Sequence, residues 1–222
     1  TTEIYTLSLH DALPIFVDVS KLPVNKNWKN IVIDNNIMKY NKINELITKS
    51  IRDDNNVKIF PYPELVFNAF NFSKPKEIKV VFIGQGPYPN YQTINKEDIP
   101  DAMGLSFSVP NGSKIPSSLH NIFMNCIKFK HMKKYPENGN LENWAKQGCL
   151  FLNTTLTVQH KQNNGHSKAW TDITDNIIKK ISDENEFVIF VLWGKFALSK
   201  EKFIDTKKHN LVISSHPSGL SC

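Results

Sequence analysis

The sequence predicts an α/β fold: three layers, α/β/α, around a central, mostly parallel four-stranded sheet. Two observations carry this. Four short runs, Lys79–Ile83, Cys149–Leu152, Phe187–Trp193 and Leu211–Ile213, are nearly all apolar instead of alternating, the pattern of strands covered on both faces. Between them lie segments whose apolar residues recur at helical spacing. Alternating strands and helices of this kind build a parallel sheet with helices on its two sides.

Taken in order, Asn41–Ile51 places Ile43, Leu46, Ile47 and Ile51 on one helical face. Tyr62–Phe70 repeats the spacing in brief with Leu65, Val66, Ala69 and Phe70. Lys79–Ile83 is β-branched and ends at Gly84, as a buried strand does. Helical spacing resumes over Ser118–Phe129, after Pro116. Cys149–Leu152 is the second strand, Asp172–Ile181 a helix, Phe187–Trp193 the third strand and Leu211–Ile213 the fourth. No linker-like composition or repeat interrupts the chain from Asn27 onward, and 222 residues suit one domain. The domain is expected to span 16–222. Residues 1–15, TTEIYTLSLHDALPI, resemble the translation of a sequencing-library adapter and are expected to be foreign to the fold. They lack a basic start, and Asp11 and Pro14 interrupt their short apolar stretch, so they do not read as a targeting segment. A truncated C-terminus is expected at Cys222.

Composition narrows the functional classes. With 40% hydrophobic and 22% charged residues the chain is globular rather than disordered or fibrous. No run approaches the roughly 20 apolar residues that span a bilayer, so no membrane partner is expected. Cys126, Cys149 and Cys222 form no CxxC pair, and the seven histidines include no HExxH. Neither a metal nor a cofactor is expected, and a reducing intracellular compartment, cytoplasm or nucleus, suits the unpaired thiols. The net charge of +6 favours a polyanionic partner. Arg52 is the only arginine; lysine lacks the planar fork that reads guanine edges, so phosphate contacts here would be indifferent to base sequence.

In parallel sheets, ligands sit beyond the carboxyl ends of the strands. Those positions are Gly84–Pro89, Asn153, Gly194–Lys195 and Ser214–Leu220. Singly, each has a plain structural role: a glycine- and proline-bounded turn, a capping amide, a surface histidine, an isolated leucine. Phe107, within Gly104–Pro110, would by default be core. Jointly, a glycine turn, an amide, an aromatic and a histidine suit a flat heterocycle polarised without a metal. An amide offers an acceptor and a donor side by side, matching an imide N–H and its carbonyl. A histidine with backbone N–H groups stabilises negative charge on a carbonyl oxygen.

Further blocks recur in a recognisable order: Ile59-Phe60-Pro61, Val66–Phe70, Val80–Pro89, Gly104–Val109 (GLSFSV), Ile115–Asn121, Trp144–Gly148, Leu152-Asn153-Thr154, His166 with Trp170, Leu192–Lys195 (LWGK) and His216–Ser221. From about Asn27 to Cys222 the chain resembles a family 1 uracil-DNA glycosylase. The resemblance implies base excision from uracil-containing DNA by a monomer of bacterial or viral origin, with a protein inhibitor or replication partner left open. It implies that Phe107 stacks on uracil, Asn153 pairs with N3–H and O4, and Tyr88 excludes a thymine methyl. His216 and backbone N–H groups near Gln85 and Gly86 would stabilise the leaving group. Leu220 would fill the gap left by the flipped nucleotide, while Ser118, Ser218 and Ser221 would contact phosphates.

The main departure is Gly86, where the family has the aspartate that orients the attacking water. Losing a positioned base removes about 10²–10⁴ in rate. Three explanations stay open: a single-base reading error, a slow natural glycosylase, or a DNA-binding descendant without hydrolysis. Milder departures are Pro89, Ser117 in the phosphate loop, Ser215 before the histidine and Gly219 before the inserted leucine. Gly219 in place of a proline is expected to soften that loop and weaken the grip on DNA.

Overall fold

The structure, a computed structural model, describes residues 17–94 and 96–219. The adapter-like segment 1–15 lies outside them. In chain order the elements are α1 (Lys29–Val32), α2 (Tyr40–Asp53), β1 (Ile59–Phe60), β2 (Val80–Gly84), β3 (Tyr91–Ile94), β4 (Glu97–Pro100), α3 (Ser117–Lys128) and α4 (Glu142–Ala145). There follow β5 (Cys149–Asn153), β6 (Val158–Gln159), α5 (Ser167–Glu184), β7 (Ile189–Trp193), α6 (Gly194–Leu198) and β8 (Asn210–Ser214).

The central sheet has the order β5-β2-β7-β8, and all three pairings are parallel. Successive strand residues face opposite sides, and the core divides accordingly. Val81, Ile83, Leu150, Leu152, Phe190 and Leu192 pack with α1, α2 and α5 through Trp28, Tyr40, Ile43, Trp170 and Ile177. On the other side, Phe82 and Phe151 meet Leu119 and Phe123 of α3 and Trp144 of α4. Phe82 and Phe151 are register partners, and their rings stack at 4.8 Å and 12°. The outermost strand, β8, leaves Val212 and Ile213 about half exposed.

The structure modifies three expectations. Tyr62–Phe70 is not one α-helix but two 3₁₀ turns, Pro63–Leu65 and Asn68–Asn71. Tertiary bonding outweighs local spacing there, since the buried Asn68 amide donates to Met103 O at 2.9 Å. The helix expected over Asp172–Ile181 extends to Ser167–Glu184. The third strand begins at Ile189, leaving Phe187 outside it and 55% exposed. Among the described residues no helix is long and apolar enough to cross a membrane.

Candidate active site

The parallel register sets Gly84, the last residue of β2, beside Asn153, the last of β5. Just past them, Thr154 N–H donates to Gly84 O at 3.0 Å and Thr155 N–H to Gln85 O at 3.1 Å. The Thr154 hydroxyl also donates to Gln85 O, at 3.1 Å. Two donors thus hold one carbonyl, which fixes the Gln85–Gly86 peptide plane and turns the Gly86 N–H the opposite way. The Gln85 side chain is tethered outward, donating to Asn164 Oδ1 at 3.0 Å.

Gly84 answers a steric need. A Cβ there would overlap the Asn153 Oδ1 and stand 2.6 Å from Ser106 Cβ. The absent side chain lets the amide lie across the strand end, buried to 6% exposure. Among the described residues the Asn153 amide has no hydrogen-bond partner, so its donor and acceptor are open to a ligand.

Phe107 sits at φ 65°, a left-handed conformation that a bulky residue seldom adopts. Three contacts hold it. Tyr88 OH donates to Phe107 O at 3.2 Å. The Phe107 ring meets Trp193 edge-to-face at 5.8 Å and lies 6.0 Å from the His216 ring at 35°. Burial raises the Tyr88 pKa, with Asp101 adding to the effect, so the phenol stays protonated and donating. A narrow pocket beside Phe107 is lined by Gly86, Tyr88, Met103, Leu105, Phe107 and Asn153.

His216 follows β8 and is approached closely by Gly194, where α6 begins. Gly194 has φ 83°, and a Cβ there would come within 2.9 Å of His216 Cβ. The backbone N–H of Ser218 donates to His216 Nδ1 at 3.1 Å. Burial lowers the His216 pKa from 6.5. The neutral ring with Nδ1 accepting carries its proton on Nε2, which is then the ring's donor nitrogen. Ser118, in the first turn of α3, comes to the same end of the domain because Asn121 donates to Pro217 O at 2.8 Å. Leu220 and Ser221 lie outside the described residues.

Phe107, Asn153, Tyr88 and Gly86 therefore gather around one pocket, whereas the exposed Gln85 side chain turns away from it; His216 stands beside the Phe107 ring, with Ser118 and Ser218 at the same end of the domain. Among the described residues no group of three or more His, Cys, Asp or Glu gathers for a metal. Sequence reasoning missed Trp193 as the ring bracing Phe107. It also missed the Ser218 N–H, which no side-chain pattern signals, and Thr155, whose buried hydroxyl lacks a hydrogen-bond partner. His166 and Trp170 join Thr157 in a buried chain of hydrogen bonds. Trp170 Nε1–H donates to Thr157 Oγ1 at 2.8 Å, and Thr157 Oγ1 is hydrogen-bonded to His166 Nδ1, also at 2.8 Å.

A parallel α/β sheet thus carries an aromatic and an amide around a narrow pocket beyond its strand ends, with an imidazole beside the aromatic. Residues 70–222 match the model of the uracil DNA glycosylase superfamily. A uracil-DNA glycosylase of Psychromonas ingrahamii is 42% identical over 196 residues, covering 88% of this chain and 87% of that protein. One from Campylobacter jejuni is 39% identical over 211 residues, covering 93% and 86%. The crystal structure of mimivirus uracil-DNA glycosylase superposes with a TM-score of 0.85 at 35% identity, covering 93% of this chain and 73% of that one. The chain belongs to the uracil-DNA glycosylase superfamily.

Proposed function

We propose that the protein excises uracil from DNA by hydrolysing the N-glycosidic bond of deoxyuridine, as the first step of base-excision repair, and that it does so slowly. The reading is supported above all by Phe107 and Asn153 lining one pocket, with the His216 ring 6.0 Å from the Phe107 ring. An extrahelical uracil would stack on Phe107 while Asn153 accepts from N3–H and donates to O4. Cytosine presents the opposite polarity at both atoms, so it would leave the buried amide unpaired. Tyr88, pinned to Phe107 O, walls the side where thymine carries its methyl. Extrusion costs a few kcal/mol of unstacking, offset by these contacts and by phosphate binding at Ser118, Ser218 and Ser221, with Leu220 in the vacated space.

In the chemical step the C1′–N1 bond breaks heterolytically and its electron pair leaves with uracil. The charge on O2 is met by His216 Nε2–H and by the N–H groups near Gln85 and Gly86, dipoles already oriented before reaction. Water then adds to C1′ and loses a proton to solvent, since Gly86 offers no carboxylate to receive it. The leaving-group half of the reaction is thus intact and the water-activating half is missing.

A second reading follows from the same glycine: a DNA-binding protein that keeps the pocket without turnover. Uracil release from an oligonucleotide, compared with Asn153→Ala, separates the two. Release above that of the variant supports excision; equal, background release supports binding alone.

A further inference from the structure

At the end of the sheet remote from the pocket, an open groove of about 670 Å³ crosses the amino ends of β2, β5 and β7. Its volume is that of a ligand site. The floor is aliphatic: Val80 starts β2, Ile189 starts β7, and Ile78 lies just ahead of β2. Phe72, packed on the cluster beneath α3, and Phe187, 55% exposed, add two rings. Gly148, the residue before β5, has φ 97°, and a Cβ there would meet Glu77 O at 2.7 Å and the Lys79 stem at 3.2 Å. The bare backbone lets the Lys79 stem lie across it while the side chain stays exposed.

The rim is basic. Lys76, Lys79 and Lys146 line the groove, all are exposed, and no ion pair engages any of them among the described residues. Glu77 is the carboxylate among the lining residues, and both its oxygens are taken within its own turn. Oε1 accepts from Lys74 Nζ and Oε2 from the Lys74 backbone N–H, each at 3.0 Å. Three cations thus stand unmatched beside an apolar floor and an exposed aromatic ring. Exposed apolar surface rimmed by polar groups marks an interaction site. Nothing in uracil recognition or release uses these residues: β2 and β5, five residues each and so about 17 Å long, separate the groove from the pocket.

We infer that this groove docks a short acidic segment of a partner protein. One large apolar side chain of the segment seats on Val80, Ile189 and Phe187, and the carboxylates flanking it meet Lys76, Lys79 and Lys146. Covering Phe187 removes apolar surface from water, while the lysines draw in an acidic partner and set its orientation. Single-stranded nucleic acid fits less well, because the aliphatic floor offers no π-face on which successive bases stack. Docking at this end leaves the base-binding pocket open.

The test is an NMR titration of the isotope-labelled full chain with a decapeptide of aspartate, glutamate and glycine around one central phenylalanine. The amide signals of Lys79, Val80, Gly148 and Ile189 are expected to shift together with a Kd of about 1 mM or tighter. Those of Gly86, Asn153 and Ser218 are expected to stay in place. Lys79→Glu combined with Lys146→Glu, and separately Phe187→Ser, should each weaken binding about 10-fold. All three side chains are exposed, and the spectra of the variants report directly that the fold is kept. On the unaltered chain, a peptide with glycine in place of its phenylalanine should also bind about 10-fold more weakly. Shifts at the pocket end instead of the groove, no shift up to about 5 mM peptide, or unaltered binding in either variant would overturn the inference. So would equal binding of the phenylalanine-free peptide. Groove shifts at lower concentration with an oligothymidylate of the same length would reassign the surface to nucleic acid.

Discussion

The backbone N–H of Ser218 and Nδ1 of His216 are 3.1 Å apart, and this bond decides which imidazole nitrogen bears the proton. With Nδ1 accepting, the neutral ring donates through Nε2. Protonating Nδ1 would oppose a second donor to Ser218 N–H and break the bond that shapes the loop. Burial holds the His216 pKa below 6.5, so the neutral donor prevails at neutral pH. The rate of uracil release is expected to rise as pH climbs through that depressed pKa and then stay flat to pH 8. His216→Leu should lower the plateau about 10²-fold, the usual loss for one oriented donor. Single-turnover release between pH 4.5 and 8 checks both; a rate that climbs as pH drops below 6 would contradict the neutral donor.

Gly84 and Asn153 make a steric pair across the ends of β2 and β5. Gly84→Ala would drive a methyl into the Asn153 amide. Overpacking of this kind costs about 1–3 kcal/mol, and displacing the amide by about 1 Å costs about 10²-fold in rate. The variant should therefore fold, unfold at lower urea, and release uracil about 10²-fold more slowly. Wild-type activity in Gly84→Ala would show that the amide does not read the base.

The sheet was legible because its four strands are buried on both faces and so read as unbroken apolar runs. The Phe82–Phe151 stack follows from the parallel register once those runs are aligned. The hairpin β3–β4 was not legible, since Tyr91–Ile94 and Glu97–Pro100 are polar and partly exposed. The two-residue strands β1 and β6 are too short to show any period. At the site, the side chains that face a ligand are visible as residue types, whereas their supports are backbone or distant. The Ser218 N–H, the Gly194 approach to His216 and the Trp193 edge against Phe107 exist only once the chain is folded.

The loop beyond His216 offers a direct handle on DNA grip. Among the described residues a Cβ at Gly219 meets nothing within 4 Å, and its backbone is not left-handed. Its N–H donates to no described residue. Gly219→Pro is expected to restrict the loop, which saves about 0.4–1 kcal/mol of ordering. Uracil-containing duplex should bind about 2–5-fold more tightly, as read by titration at fixed salt. Unchanged or weaker binding would show that loop freedom does not limit the grip.

His166 ties stability to pH. It is 3% exposed, and burial pushes its pKa down to about 4 from 6.5. The unfolded chain binds the proton more readily, so stability is full above about pH 6.5 and is lost as pH falls towards 4. The loss from this group alone is about 2–3 kcal/mol by pH 4.5. His166→Asn should be less stable at pH 7, having lost the Thr157 bond, yet show a correspondingly shallower decline on acidification. Urea unfolding of both proteins at pH 7 and 4.5 measures the difference; parallel declines would move the acid sensitivity elsewhere.

Gly86 decides how fast the chemistry runs. Its backbone is not left-handed, and a Cβ there meets only Thr155, at 3.4 Å and beyond. The peptide before it is already fixed by the two donors on Gln85 O. A carboxylate introduced as Gly86→Asp would start from a held backbone on the wall of the pocket, where it could orient water and face the developing cationic sugar. A positioned base of this kind contributes about 10²–10⁴ in rate. The expected outcome is a rise of that size in single-turnover uracil release, with DNA affinity changed by less than about 10-fold and stability by less than about 1 kcal/mol. If Gly86→Asp releases uracil no faster than the present chain while binding DNA equally well, the deficit lies beyond one missing carboxylate, and the reading as a binding protein without turnover gains.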